Sequence, residues 1–467
     1  MVLEFQREVL HRLPLAEAVL DLWQWLADGE FLSGVFEEHR GASYERQIAF
    51  PIMVHLIADA LLQHRGSGRK SFQRSRENGE LPATIQAAYQ KLGRIPLAVT
   101  EAFLREATQR LVQVVPAPSQ ESIPASLRVF VPIVVDGKAI KRVPKRLKPL
   151  RGSKGGVLGG KALVALHLAH GLAVAMACHP DGETNDAKLV PALLEQLRPL
   201  WPGAVVLYVA DRQFCDLNQT AEFVKGDHHF LVRYHTKTRF HADAERPARE
   251  GIDSQGRSYR EQWGWLGRAG HKKRRYVRFI TLYRPGEEAI SLVTDLLDAD
   301  LYPASDLLDL YLARWGIERV FQKITEVFHL ERLIGTTPEG TLFQLAFCLL
   351  LYNQIQVVRS YIATAQQRPI ETISTELLFD DVRRQLVALD ELVPPAEVIE
   401  LCDLPRTAAG VRQRLAKLLR SVWSERWVKA PRRKRSPQPK SGKRDHTSVY
   451  RIMLKYRKRK IRDSNSS

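Results

Sequence analysis

The sequence predicts an α/β fold: a mixed sheet flanked by helices and interrupted by a β-rich insertion, set between helical N-terminal and C-terminal regions. Three features predict it. Helical apolar periodicity up to about residue 115 gives way at Arg128 to short β-branched runs, the first being "VFVPIVVDG". "KALVALHLAHGLAVAMACHP" holds two such runs hinged at His170-Gly171, the pattern of antiparallel strands joined by a tight turn. The runs that follow alternate with helix-period segments, as parallel βα units do.

In chain order, residues 1–115 read as a helical domain in which "RGSGRKSFQRSREN" is a basic loop, fitting either a DNA-binding domain that reads DNA ends or a solvated connector. "PAPSQESIP" (116–124) reads as a linker. The first strand stops at Asp136-Gly137, and the hairpin follows. "ETNDAKLVPALLEQLRPL" opens with the candidate N-caps Thr184 and Asn185 and continues as a helix. "GAVVLYVADRQF" is a strand ending in Asp211, followed by the helical "DLNQTAEFVKG" and the strand "HHFLVRY". The order β, β, β, α, β, α, β is that of a ribonuclease-H-like domain, which takes residues 125–234 and 304–360. Residues 235–303 are polar and strand-like, too long for a connecting loop, and read as a β-rich insertion subdomain. Ser305 starts the next helix. A helical C-terminal region (361–428) and a basic tail (429–467) complete the chain. "LFQLAFCLLLYNQIQVV" is short and ends in Asn353, Gln354 and Gln356, so it reads as a buried helix rather than a membrane span.

The composition is globular, with 45% hydrophobic residues in 467. The net charge of +18 favours a polyanionic partner, most often nucleic acid. Residues 429–467 hold 15 Lys or Arg against two Asp, +13 of that total. Such a tail reads as extended and solvated, either binding phosphates without reading sequence or serving only to solubilise the chain. Cys178, Cys215, Cys348 and Cys402 form no CxxC pair, which argues against a zinc site or a disulfide framework. Early Glu4 and Glu8, without an apolar signal core, point to a cytoplasmic protein.

Asp136 and Asp211 each end a strand. On adjacent parallel strands they project from one edge, where paired carboxylates suit a hard divalent cation. Taken singly, each is also what a strand end at a turn requires. The helix around "YLARWGIERVFQKITEVF" (311–328) adds a third carboxylate. At about 100° per residue, Tyr311, Arg314, Glu318 and position 325 fall within roughly 60° of one another, on a stripe directed away from the apolar face.

These residues resemble the DDE transposases of bacterial insertion sequences. Asp136 in "VVDGKA", Asp211 in "YVADRQF" and Tyr311-x2-Arg314-x3-Glu318 in "YLARWGIE" match their three motifs over residues 128–357. The third motif is similar to that of the IS-four type, Tyr-x2-Arg-x3-Glu-x6-Lys, whose members also carry a β-rich insert. The resemblance implies phosphoryl transfer on DNA. Asp136, Asp211 and Glu318 would be the catalytic residues and the ligands of two Mg²⁺ ions, with Mn²⁺ able to substitute. The enzyme would cut the terminal inverted repeats of an element and join their 3′-hydroxyls to target DNA as a homodimer, by way of a hairpin intermediate in members with this insert. Tyr311 and Arg314 would hold a backbone phosphate. Trp263 and Trp265 are candidates to stack on a flipped base, or else to pack the insert's own core. Lys138 and Arg212 are candidates for phosphate contacts. Where the motif has Lys, this chain has Thr325, so the contact falls to the Thr hydroxyl, to Gln322 or to another residue. Two other classes fit the same residues: a transposase-derived DNA-binding protein that no longer cuts, and a metal-dependent nuclease without strand transfer.

Overall fold

The computed structural model of the protein describes residues 2–118, 123–393, 407–429 and 446–464. The linker residues 119–122, residues 394–406 with Cys402, and tail residues 430–445 and 465–467 lie outside them.

A ten-stranded mixed sheet forms the centre. Its first strands are β1 (Val131–Ala139), β3 (Lys161–His167), β4 (Leu172–His179), β5 (Val206–Ala210) and β6 (His229–Arg233), with the short β2 (Gly156–Leu158) outside it. The sheet order runs β4-β3-β1-β5-β6. β1, β5 and β6 are parallel, while β3 and β4 join antiparallel. β5 is buried throughout, as expected of a central parallel strand covered on both faces. The β3–β4 turn needs Gly171, whose φ of +66° lies in the left-handed region.

Residues 235–303 supply β7 (Phe240–Ala242), β8 (Arg249–Ile252), β9 (Ser258–Leu266), β10 (Arg275–Leu282) and β11 (Ile290–Thr294). They form no sheet of their own. β11 pairs with β6, and the sheet continues β11-β10-β9-β7, with β8 on β9. The insertion thereby covers the edge that β6 would otherwise leave open.

The N-terminal region folds as α1 (Val2–His11), α2 (Pro14–Leu26), α3 (Gly29–His39), α4 (Phe50–Leu62), α5 (Gly68–Glu77), α6 (Ile85–Leu92) and α7 (Leu97–Val114). The stretch expected as a basic loop is therefore largely helix α5. Ser67 caps it by accepting from Lys70 N, and buried Phe72 and Ser71 fix it to the core. Between the later strands lie α8 (Val190–Leu197) and α9 (Leu217–Phe223); Asn185 caps the short turn ahead of α8. Then come α10 (Ala304–Ala313), α11 (Trp315–Glu326), α12 (Pro338–Ala365), α13 (Thr375–Leu392) and α14 (Ala408–Leu419).

α12 lies against α7 and β4 and is buried. Among the described residues it is the one helix long and apolar enough to cross a membrane, and it serves as a core helix. Its polar residues close backbone gaps instead of meeting water. Asn353 accepts from Ala173 N at 2.9 Å and donates to Ala173 O at 2.8 Å, where β4 bulges against β3. Gln344 does the same for Ile334 N and Arg332 O.

The described part of the tail is largely helical rather than extended, although most of its side chains stay exposed. β12 (His446–Ser448) pairs with β2, and α15 (Val449–Ser464) follows with Val449 buried. Arg451 clasps Asp181 Oδ2 at 2.8 Å and Glu183 Oε2 at 2.5 Å. Opposite charges outside the tail thus order its basic end.

Candidate active site

β1 and β5 run in register from Val131↔Val206 to Val135↔Ala210. The next residue on each is Asp136 and Asp211, so both carboxylates leave the same edge of neighbouring strands about 4.8 Å apart. Asp136 Oδ1 accepts from Gly137 N at 2.8 Å. Gly137 has to be glycine, because a Cβ there would run into the Asp186 carboxyl. Asp186 is itself buried and paired with Lys161 Nζ at 2.5 Å.

α11 packs on β1 and carries Glu318 in its first turn. Arg314 is the joint between α10 and α11. The stripe expected to face away from the core is instead largely buried: Tyr311 is 2% exposed and Arg314 3%. The Arg314 guanidinium lies between Glu318 (Nη2–Oε1 3.2 Å) and Asp136 (Nη1–Oδ2 3.9 Å), and its Nε, also buried, has no hydrogen-bond partner.

Burial pushes the Asp136 carboxyl up to about 6; Glu318 and Asp211 push the same way, while the Gly137 N–H and Arg314 oppose them. At Arg314 burial works against the charge, but Tyr311, Asp211, Asp136 and Glu318 outweigh it and raise the pKa. Burial likewise raises the Tyr311 phenol, with Arg314 opposing. The three carboxylates therefore act on one another and on a single cation. Their hard oxygens fit a divalent ion. As they stand, with the guanidinium between two of them, no group of three or more His, Cys, Asp or Glu among the described residues is gathered closely enough to ligate one.

Residues 130–354 match the family described as the transposase DDE domain. That match spans just under half of the chain and marks the protein as an enzyme of DNA transposition. No curated protein matches the chain in sequence. Among solved structures, a cryo-EM structure of the piggyBac transposase synaptic complex with hairpin DNA is similar at 9% identity and a TM-score of 0.43, over 88% of this chain and 87% of that one.

The other expected contacts divide. Trp263 is 1% exposed, donates from Nε1 to Leu297 O at 2.9 Å and lies under Arg246, so its ring is closed to a base. Trp265 is 38% exposed, with Arg274 over its ring at 4.3 Å. Arg212 is exposed just after Asp211. Gln322 points to Glu326, donating at 2.9 Å. Thr325 donates to Phe321 O at 2.7 Å and accepts from Lys138 Nζ at 3.1 Å. Sequence reasoning missed three features: the Asp186–Lys161 pair against Gly137, the Lys138–Thr325 contact, and the Arg451 clasp. Lys138 had a signal in its place two residues beyond Asp136 on one strand face, whereas the other two depend on long-range contacts.

Proposed function

We propose that the protein is a cut-and-paste DNA transposase of an insertion sequence, of the IS-four type. The observation that carries this reading is the convergence of Asp136, Asp211 and Glu318 on one buried guanidinium within the matched DDE domain. The strand order β4-β3-β1-β5-β6 supports a ribonuclease-H-like catalytic domain. Residues 235–303 serve it as an inserted arm, and the N-terminal helices as a DNA-binding region.

Asp136, Asp211 and Glu318 would hold Mg²⁺, with Mn²⁺ as substitute. Bound there, the metal supplies Lewis-acid stabilisation of the charge that develops in phosphoryl transfer. The protein's own groups do the rest. Arg314 neutralises Glu318 and Asp136 before substrate arrives and turns to a backbone phosphate when the carboxylates are otherwise engaged. Tyr311 backs the guanidinium at 5.5 Å and directs its hydroxyl to the same phosphate. The substrates are duplex DNA with terminal inverted repeats and a target DNA, brought together by a homodimer at the nucleoid. A hairpin intermediate suits the sheet-extending insert.

The test is incubation of supercoiled plasmid, carrying the reading frame with its native flanks, with purified protein and Mg²⁺. Excision followed by insertion is expected. Binding without cleavage overturns the reading.

A further inference from the structure

A half-buried ammonium without an ionic partner lies beside the carboxylates. Lys138 follows Asp136 by two residues on β1, pairing with Ala162 where Asp136 pairs with Val164, so both side chains leave the same face of the sheet. Its Nζ donates to Thr325 Oγ1 at 3.1 Å and to Phe321 O at 3.4 Å, and lies 5.4 Å from the Phe321 ring centroid. All three partners are neutral, and among the described residues Lys138 makes no ion pair. Withdrawing a cation from water without a counter-ion is unfavourable. An ammonium has three donors, and these contacts use two.

The anchoring side is rigid. Thr325 gives its own proton to Phe321 O at 2.7 Å, which turns an oxygen lone pair toward Lys138. Thr325 lies two turns beyond Glu318 on α11, roughly 10 Å along the helix axis. Arg314 is already engaged by Glu318 and Asp136. Among the described residues, Lys138 is thus a half-buried cation close to the carboxylates with no carboxylate contact, whereas Arg212 beside Asp211 is exposed to water.

We propose that Lys138 grips a DNA phosphate flanking the bond that is cut, its third N–H donating to a non-bridging oxygen while Thr325 and Phe321 hold the ammonium in place. This rests on the DNA-cutting reading above and adds to it a named phosphate subsite. Here the strand next to Asp136 supplies the cation and the helix supplies only the hydroxyl that aims it.

The test uses the full chain and a linear duplex spanning the reading frame and its native flanks, with binding measured across a range of salt concentrations. Lys138→Met keeps the packing on Phe321 and removes the charge. It is expected to melt like the native protein, to bind about 10-fold more weakly, and to lose about 0.9 from the slope of log K against log salt. Lys138→Met/Thr325→Lys returns an ammonium to the same spot from the helix and is expected to recover most of that slope and affinity. Native affinity and slope in Lys138→Met, or a double variant that binds no better than the single one, overturns the proposal. If Lys138→Met fails to fold, Thr325→Val decides: weaker binding supports the subsite and unchanged binding removes it. The binding arm needs no cleavage, so a native chain that binds but does not cut counts against the proposed function alone.

Discussion

Arg278 and Arg314 are both almost fully buried, at 0% and 3% exposure, yet one is enclosed by its partners and the other is shared among competitors. Arg278 on β10 pairs with Glu261 through Nε at 2.7 Å, donates from Nη1 to Tyr302 O at 2.6 Å, and lies near the Trp263 ring. Burial lowers its pKa, with Glu261 opposing. Arg314 is divided between two carboxylates at longer range, and its Nε is unmatched. A guanidinium with partners of its own is a joint. One that three carboxylates act on at once is, on the proposed function, part of the site.

The largest effect expected from breaking this contrast is at the carboxylates. Asp136→Ala should lower plasmid cleavage by about 1000-fold or more while gel-shift binding persists. Retained cutting would move the site elsewhere. Next is the joint itself. Arg278→Met leaves Glu261 buried and unpaired and should cost about 3–5 kcal/mol in denaturant unfolding. Arg314→Met relieves Glu318, which can turn to water, and should cost under about 2 kcal/mol. Equal losses would erase the distinction between joint and site. In the same pair of variants, Mg²⁺ should raise the melting temperature of Arg314→Met more than that of the native chain, because the carboxylates then lack their internal counter-charge. An equal shift in both would mean that Arg314 does not screen them.

A buried acid gives the most pH-specific effect. Glu101 on α7 accepts from Cys178 N at 2.5 Å and Gln196 Nε2 at 3.1 Å, and burial pushes its carboxyl up to about 7. The folded chain keeps that proton to about pH 7, whereas the unfolded chain releases it near 4.5. Stability therefore falls as pH rises from 4.5 to 7 and is level above that. Glu101→Gln should be the more stable chain at pH 8, by up to about 3 kcal/mol, with the gap closing by pH 5. Parallel unfolding curves at the two pH values would show that Glu101 is ionised in the fold.

How much was legible follows from which forces act locally. β1 and β5 were visible because β-branched runs are local signals, but β1 continues through Asp136 to Ala139 on its pairing with β3, beyond the end its apolar run suggested. The helical spacing of Tyr311, Arg314 and Glu318 was visible too. The direction they face was not, since a wheel cannot tell solvent from a second packing surface, and here the sheet edge takes that side. Residues 68–77 looked like a loop because Gly, Ser and Arg dominate, yet one Ser cap and buried Phe72 suffice for helix α5. Trp263 and Trp265 share a strand face in sequence. The segment at Leu297 closes over the first and leaves the second partly open, a long-range fact that the motif "WGW" does not contain.

The pairing of β12 with β2 has a consequence for the order of events as the chain folds. His446 and Gly156 are joined across some 290 residues, a loop whose closure alone costs about 5 kcal/mol in chain entropy. That pairing becomes favourable only after the intervening sheet and α12 have shortened the path. The most cationic helix among the described residues is therefore expected to reach its place late, after the core has collapsed.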